Sequence, residues 1–416
     1  MLARVRALFP IALIVFLGAC DKPAAQRELS QQAAEPAKTA ETKSDPPAME
    51  APRVGGAPPA ERPTQLPQGL ASGRPPAGGC VLRHEQALSQ GAEWAVAASL
   101  AGGPVAIALE GSTLALWTSS ATGFTRTATQ ALDAKAQRAA AACTGARCEL
   151  AVVDERARLL ALSLTSTGLS APRTLASGLD RRFAPAIINV GARVLYAYTA
   201  NVDKAMHTFW LESKNGKASA PQDLTPLAHG AAAPSFVLGS KLPTLVVVDP
   251  WAGLSPLLEL HFGLEGPPSE AVVRTPVSQP YEPPLLAAVE WASGDVEVAY
   301  TAVGRLAMTA VGRVPLRKAS EPSALSPSKG YGELWFAAAR SATRALFALE
   351  VPVDSKPNAA REITLKLLDG SSTGQGPTFA ADARHPSVAS LRDPGEYLVT
   401  YARGTTVFAA LVGCDD

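Results

Sequence analysis

One pattern constrains this chain more than any other. From Cys80 onward, short apolar runs that alternate at a period of two recur as paired units separated by turn residues. Ala184-Pro185-Ala186-Ile187-Ile188 leads through a turn at Gly191 to Val194-Leu195-Tyr196-Ala197-Tyr198. Ala233-Pro234-Ser235-Phe236-Val237 leads through Gly239 to Thr244-Leu245-Val246-Val247-Val248. Pro284-Leu285-Leu286 and Ala288-Val289 lead through Gly294 to Val296-Glu297-Val298-Ala299-Tyr300. His385-Pro386-Ser387-Val388-Ala389 leads through Pro394-Gly395 to Tyr397-Leu398-Val399-Thr400-Tyr401. Three weaker copies begin near Trp94, Ala140 and Pro327, and long stretches of helical period are absent.

These starting points lie 46, 45, 49, 50, 43 and 59 residues apart. A repeat of 40–50 residues built from short strands points to the blades of a β-propeller rather than to a helical solenoid. The expected fold is an all-β propeller of seven blades over residues 80–416, with six or eight as alternatives, after a disordered N-terminal tether. The competing all-β arrangement is a pair of β-sandwiches whose repeat spacing is coincidental. The long last interval contains Asp369-Gly370-Ser371-Ser372-Thr373-Gly374-Gln375-Gly376, which reads as a loop insertion. The Gly-His…Trp-Asp and Ser-x-Asp-x-Gly-x-Thr-Trp signatures of two propeller classes are missing, so the resemblance is to an architecture.

The N-terminus specifies an address. Arg4 and Arg6 precede an apolar run, Ala7 to Leu17, which is too short to span a membrane, and small residues follow it. Leu17-Gly18-Ala19-Cys20 resembles the lipobox of bacterial lipoproteins at all four positions. That resemblance implies that residues 1–19 are a signal peptide and that Cys20 becomes a lipidated N-terminus. Several acyl chains, palmitate among them, give a stable anchor where one is marginal. The partner implied is membrane lipid, and the location is the bacterial envelope: the periplasmic face of either membrane, or the cell surface.

Residues 21–79 carry no Phe, Trp or Tyr, 11 Pro, and seven charges of each sign. Such a stretch buries too little surface to offset its ordering entropy and reads, with Cys20, as a lipidated, Pro/Ala-rich disordered linker over 20–79.

Four cysteines remain: Cys80, Cys143, Cys148 and Cys414. An even number in an exported chain suggests disulfides. Cys143 and Cys148 flank a four-residue turn between two strands and form a local pair. Cys80 and Cys414 then stand at the two ends of the domain, where a bridge would staple a ring shut. A tetrahedral metal cage needs two close pairs, and only 143/148 is close, so no metal ligands are assigned.

Composition bounds the function. With 38 Lys+Arg against 37 Asp+Glu and 18% charged residues, the chain has no basic excess for nucleic acid. His84, His207, His229, His261 and His385 are isolated from one another in sequence, and no nucleophile elbow, P-loop or dinucleotide fingerprint occurs. No catalytic residues and no cofactor are assigned. The six tryptophans, Trp94, Trp117, Trp210, Trp251, Trp291 and Trp335, fall nearly one per unit and suit packing between blades. Asp249-Pro250-Trp251-Ala252-Gly253 is the exception, a strand end carrying an indole into a loop, so Asp249 and Trp251 are the candidate partner-binding residues. The reading is a membrane-anchored binding or scaffold module for an envelope protein or glycan. The alternative is an exported propeller enzyme, a glycan hydrolase or lyase, with a site built from blade loops.

Overall fold

A computed structural model describes residues 79–414 apart from 102, 166, 229, 250–254, 264, 269–270, 278–284, 304–307, 319–321, 327–329, 332–333, 357, 370–372 and 379–381. The signal peptide, Cys20 and the linker expected over 20–79 lie outside the described residues, apart from Gly79.

The described chain is all-β and arranged as a propeller. Each unit starts with a strand on the axis: β1 (Ala95–Leu100), β2 (Ala136–Thr144), β3 (Ala186–Val190), β4 (Ala232–Leu238), β5 (Leu286–Glu290), β6 (Phe336–Ser341) and β7 (Ala383–Ser390). Three further antiparallel strands follow outward from β1 (Gly103–Glu110, Thr113–Ser120, Gly123–Ala131), and the units headed by β2, β3 and β6 are built likewise. The units headed by β4 and β5 share one eight-stranded sheet, because Val237 and Leu238 pair in parallel with Ala288 and Val289. Each axial strand lies beside the next and β7 lies beside β1, so the strands surround a central channel.

The short turns explain how so much chain folds into so little space. Lys214 pairs with Lys217, leaving Asn215-Gly216 as a two-residue loop. Both residues have positive φ, 51° and 77°, which Asn and Gly tolerate and which matches the twist of a hairpin. Cys143 pairs with Cys148 and Thr144 with Arg147, so the turn between these cysteines is the two residues Gly145-Ala146 rather than four.

Each strand is apolar on both faces because each face meets a different neighbour. Leu150 and Val152 pack with Val96, Ile107 and Leu116 of the β1 sheet. Ala151 and Val153, alternating with them, pack with Val194, Tyr196 and Leu211 of the β3 sheet. The same division recurs around the ring, ending with Leu398 and Ala409 of the β7 sheet packed on Ala106 and Ala108 of the β1 sheet. Burial on two sides accounts for a 47% hydrophobic composition in which alanine fills the narrow gaps.

The last sheet closes the ring. Its order runs from β7 through Glu396–Arg403 and Thr406–Cys414 to Cys80–Gln90, the first strand of the described chain, on the outside. Cys80 pairs directly with Cys414, and the two form a disulfide across 334 residues of sequence. Cys143 and Cys148 form the second disulfide.

Two expectations about unit boundaries are corrected. The copies placed near Ala140 and Pro327 begin at Ala136 and Phe336, because their runs of alanine hide where pairing starts. With the later start, the last interval needs no insertion: Thr373–Thr378 is itself the outermost strand of the β6 sheet, paired with Arg361–Leu368. Backbone pairing at that edge tolerates the small and polar side chains that resemble a loop in sequence.

Candidate functional site

Strands converging on an axis leave little room for side chains, and the channel wall is accordingly made of small residues. Ala97, Ala140, Ala186, Ala233, Ala287 and Ala338 line a cavity of about 240 Å³ near the end where β1–β7 begin, here called the near mouth. Among the described residues no charged side chain lines this part of the channel.

The rim of the near mouth carries the aromatic residues. Trp94, just before β1, and Trp335, just before β6, meet edge to face with ring centroids 4.8 Å apart. The His385 imidazole stacks on Trp94 at 4.6 Å, and the Arg138 guanidinium lies over both indoles, 4.5 Å from Trp335 and 5.0 Å from Trp94. The indoles are only 8% and 6% exposed, so their faces are committed to His385 and Arg138. Four units therefore meet at one point on the rim. What this arrangement offers a partner is an apolar opening edged by a guanidinium, which suits a ligand with apolar faces and hydrogen-bond acceptors.

His385 is held from three sides. Its Nδ1 lies 2.8 Å from the Glu93 carbonyl oxygen, which can only accept, so Nδ1 bears the proton and Nε2 is the accepting nitrogen of the neutral ring. Its backbone N–H donates to Glu350 Oε2 at 3.1 Å. Its φ is +54°, a left-handed conformation uncommon for a side chain of this size. Ala233 has the same φ, also precedes a proline, and donates its N–H to Thr199 Oγ1 at 3.1 Å. The Ala233-Pro234 and His385-Pro386 dipeptides thus start their axial strands by one device, with histidine standing where the other unit has alanine. Burial pushes the His385 imidazole down to about 4; the Glu93 carbonyl opposes this and Arg138 adds to it.

Glu350 supports the rim from below. It is 2% exposed, and Arg361 Nη1 donates to its Oε1 at 2.9 Å. Burial pushes its carboxyl up to about 7 although Arg361 pulls the other way. One oxygen is engaged by Arg361 and the other by the His385 backbone, so Glu350 acts as a positioning group for the rim.

The residues singled out by sequence are placed as follows. Val248 pairs with Ala232, which brings the following Asp249 to the end where β4 begins, the near-mouth side of the ring. Asp249 is half-buried, and its N–H donates to the Pro256 carbonyl at 3.1 Å. Trp251 lies outside the described residues. Trp94, Trp210, Trp291 and Trp335 are buried, as packing between blades requires.

Two of the histidines, isolated from one another in sequence, sit beside carboxylates. His207 Nδ1 lies 2.8 Å from Asp223 Oδ2 and 2.8 Å from the Thr225 hydroxyl, and His261 Nε2 lies 3.7 Å from Glu259. Among the described residues no group of three His, Cys, Asp or Glu could hold a metal ion. Arg138, Glu350 and His385 escaped the sequence reading, although the His-Pro departure from the Ala-Pro repeat was a legible sign of a special position.

No protein-family model matches the chain, and no curated protein matches it. Solved structures do share its fold. The lectin BP39L from Burkholderia pseudomallei is similar at a TM-score of 0.58 and 13% identity, over 78% of this chain and 97% of the lectin. YCF48, in a structure with a D1 peptide bound, gives a TM-score of 0.46 and 15% identity, over 80% of this chain and 95% of YCF48.

Proposed function

We propose that this chain is an exported lipoprotein, anchored in the bacterial envelope through Cys20, whose propeller binds a glycan or an envelope protein at the near mouth. The single observation that carries the binding reading is the built rim: Arg138 and His385 are packed onto Trp94 and Trp335, and Glu350 and Glu93 fix the orientation of His385. Preorganisation of this kind lowers the entropy lost when a partner docks. The lectin of similar fold supports a glycan as the partner. Residues 21–79 serve as the leash between lipid and ring, and Asp249 extends the contact surface on the same side. We count the eight-stranded sheet as two blades, which makes seven; the unbroken succession of neighbours from β1 to β7 and back supports that count.

Two experiments test this. Fractionation of cells expressing the full chain is expected to leave wild type with the membranes and Cys20→Ser in the soluble fraction; a variant that stayed in washed membranes would remove the anchor. A glycan array probed with the full chain is expected to give binding that falls at least about tenfold in Arg138→Ala, the loss of one well-packed charged contact. Equal binding by wild type and Arg138→Ala would move the contact surface elsewhere.

A further inference from the structure

The channel has a second end with different chemistry. Where the axial strands finish, a cavity of about 530 Å³ is lined by Ser99, Asn189, Leu238, Arg340, Val388 and Ser390, among other small residues. Among the described residues, Arg340, near the end of β6, is the only charged side chain lining it. Its Nη1 donates to the Gly239 carbonyl at 3.4 Å, its Nε is buried with no hydrogen-bond partner, and among the described residues it makes no ion pair. Glu290, at the end of β5, does not line the cavity, and its carboxylate lies 3.9 Å from Arg317. Space for the guanidinium is reserved by Gly239, where a Cβ would collide with it.

A guanidinium carries five donors and no acceptor, and a partly buried one without a counter-charge is costly unless an anion meets it. Carboxylates match its fork. Asn189 faces the same cavity with its amide N–H₂ committed to the Ala142 carbonyl at 2.7 Å, and Ile187, Ile188, Leu238 and Val388 supply apolar wall. Cation and wall together select an anion with an apolar body.

We propose that the far end of the channel is a binding site for a carboxylate carried on a short apolar chain, with Arg340 as its anchor. Arg340 lies at the opposite end of the channel from the near mouth, although the two cavities share wall residues such as Ile188 and Val388. The carboxylate has two sources, a small free acid or the C-terminus of a peptide threaded into the channel, and both present the same group.

The test is calorimetric titration of the full chain with hexanoate, acetate, hexan-1-ol and inorganic phosphate, and with acetyl-Ala-Ala-Val as free acid and as amide. Saturable binding of hexanoate is expected, at least about tenfold tighter than the alcohol or phosphate and tighter than acetate. Arg340→Gln is expected to weaken it at least about tenfold, while Arg138→Ala at the near mouth leaves it within about twofold. A free-acid peptide that outbinds hexanoate, with its amide silent, identifies a chain end; the reverse order identifies a small acid. Should Arg340→Gln not fold, Arg340→Lys keeps the charge and loses the fork, and a clear weakening is expected there too. The proposal is overturned if hexanoate does not saturate, if the alcohol or phosphate binds as well, or if the folded Arg340 variant binds hexanoate like wild type.

Discussion

The double variant Cys80→Ser, Cys414→Ser is expected to unfold at markedly lower denaturant than wild type. Closing a loop across 334 residues removes about 5–6 kcal/mol of chain entropy from the unfolded state, an upper bound for the stability lost. Opening the Cys143–Cys148 bridge, which spans only five, costs about 2 kcal/mol by the same arithmetic. The difference between the two variants is the informative quantity. Cys80–Gln90 remains paired along Thr406–Cys414 without the bridge, so the ring still closes, but its closing strand is then held by noncovalent contacts alone. Equilibrium urea unfolding of both variants checks this. Equal losses would mean that the unfolded chain gains nothing from freeing its ends, and that the long bridge does not act as a staple.

The second large effect is a pair of opposed pH dependences at the near mouth. Glu350 has its folded pKa raised to about 7, above the unfolded carboxyl value. The fold therefore binds its proton more tightly, and stability from this group, present at low pH, is lost as pH rises from about 4.5 through 7. His385 has its folded pKa lowered to about 4, below the unfolded imidazole value, so the fold resists protonating it. Its contribution has the opposite slope, rising with pH from about 4 to 6.5. Each spans on the order of 3 kcal/mol, and in wild type they largely cancel. Removing one exposes the other. Relative to wild type, Glu350→Gln is expected to gain stability as pH rises toward 7, and His385→Gln to lose it. Thermal melts of the three proteins between pH 4.5 and 7 test this; parallel curves would show that neither group titrates as its burial requires. Taking differences from wild type removes the background from carboxylates such as Glu259, which hydrogen bonds from Arg317 and Arg274 hold low despite burial.

Much of the architecture was readable from residues because a propeller blade is a local object. Period-two alternation, a turn glycine and a second run, as from Ala186 through Gly191 to Tyr198, specify a hairpin with no information from elsewhere in the chain. Where that alternation is written in alanine, as around Ala140, or ends at an edge strand such as Thr373–Thr378, the boundary blurred, because pairing there depends on a neighbour rather than on the strand's own side chains. The disulfides were readable too: one pair is only five residues apart, and the other marks the two ends of the repeat.

The rim was not readable. Trp94, Arg138, Trp335 and His385 are spread over nearly 300 residues and meet only because successive units bring their axial strands to one channel. Arg340 likewise became a candidate anchor only once the ring had brought its guanidinium against Gly239 and placed Glu290 beside Arg317. By itself, then, the sequence determined the class of fold, the repeat and the cysteine pairing, all of which follow from the pattern along the chain. The tertiary structure alone decided which side chains share the two mouths and what burial does to Glu350 and His385, because proximity and desolvation arise only when the ring is closed.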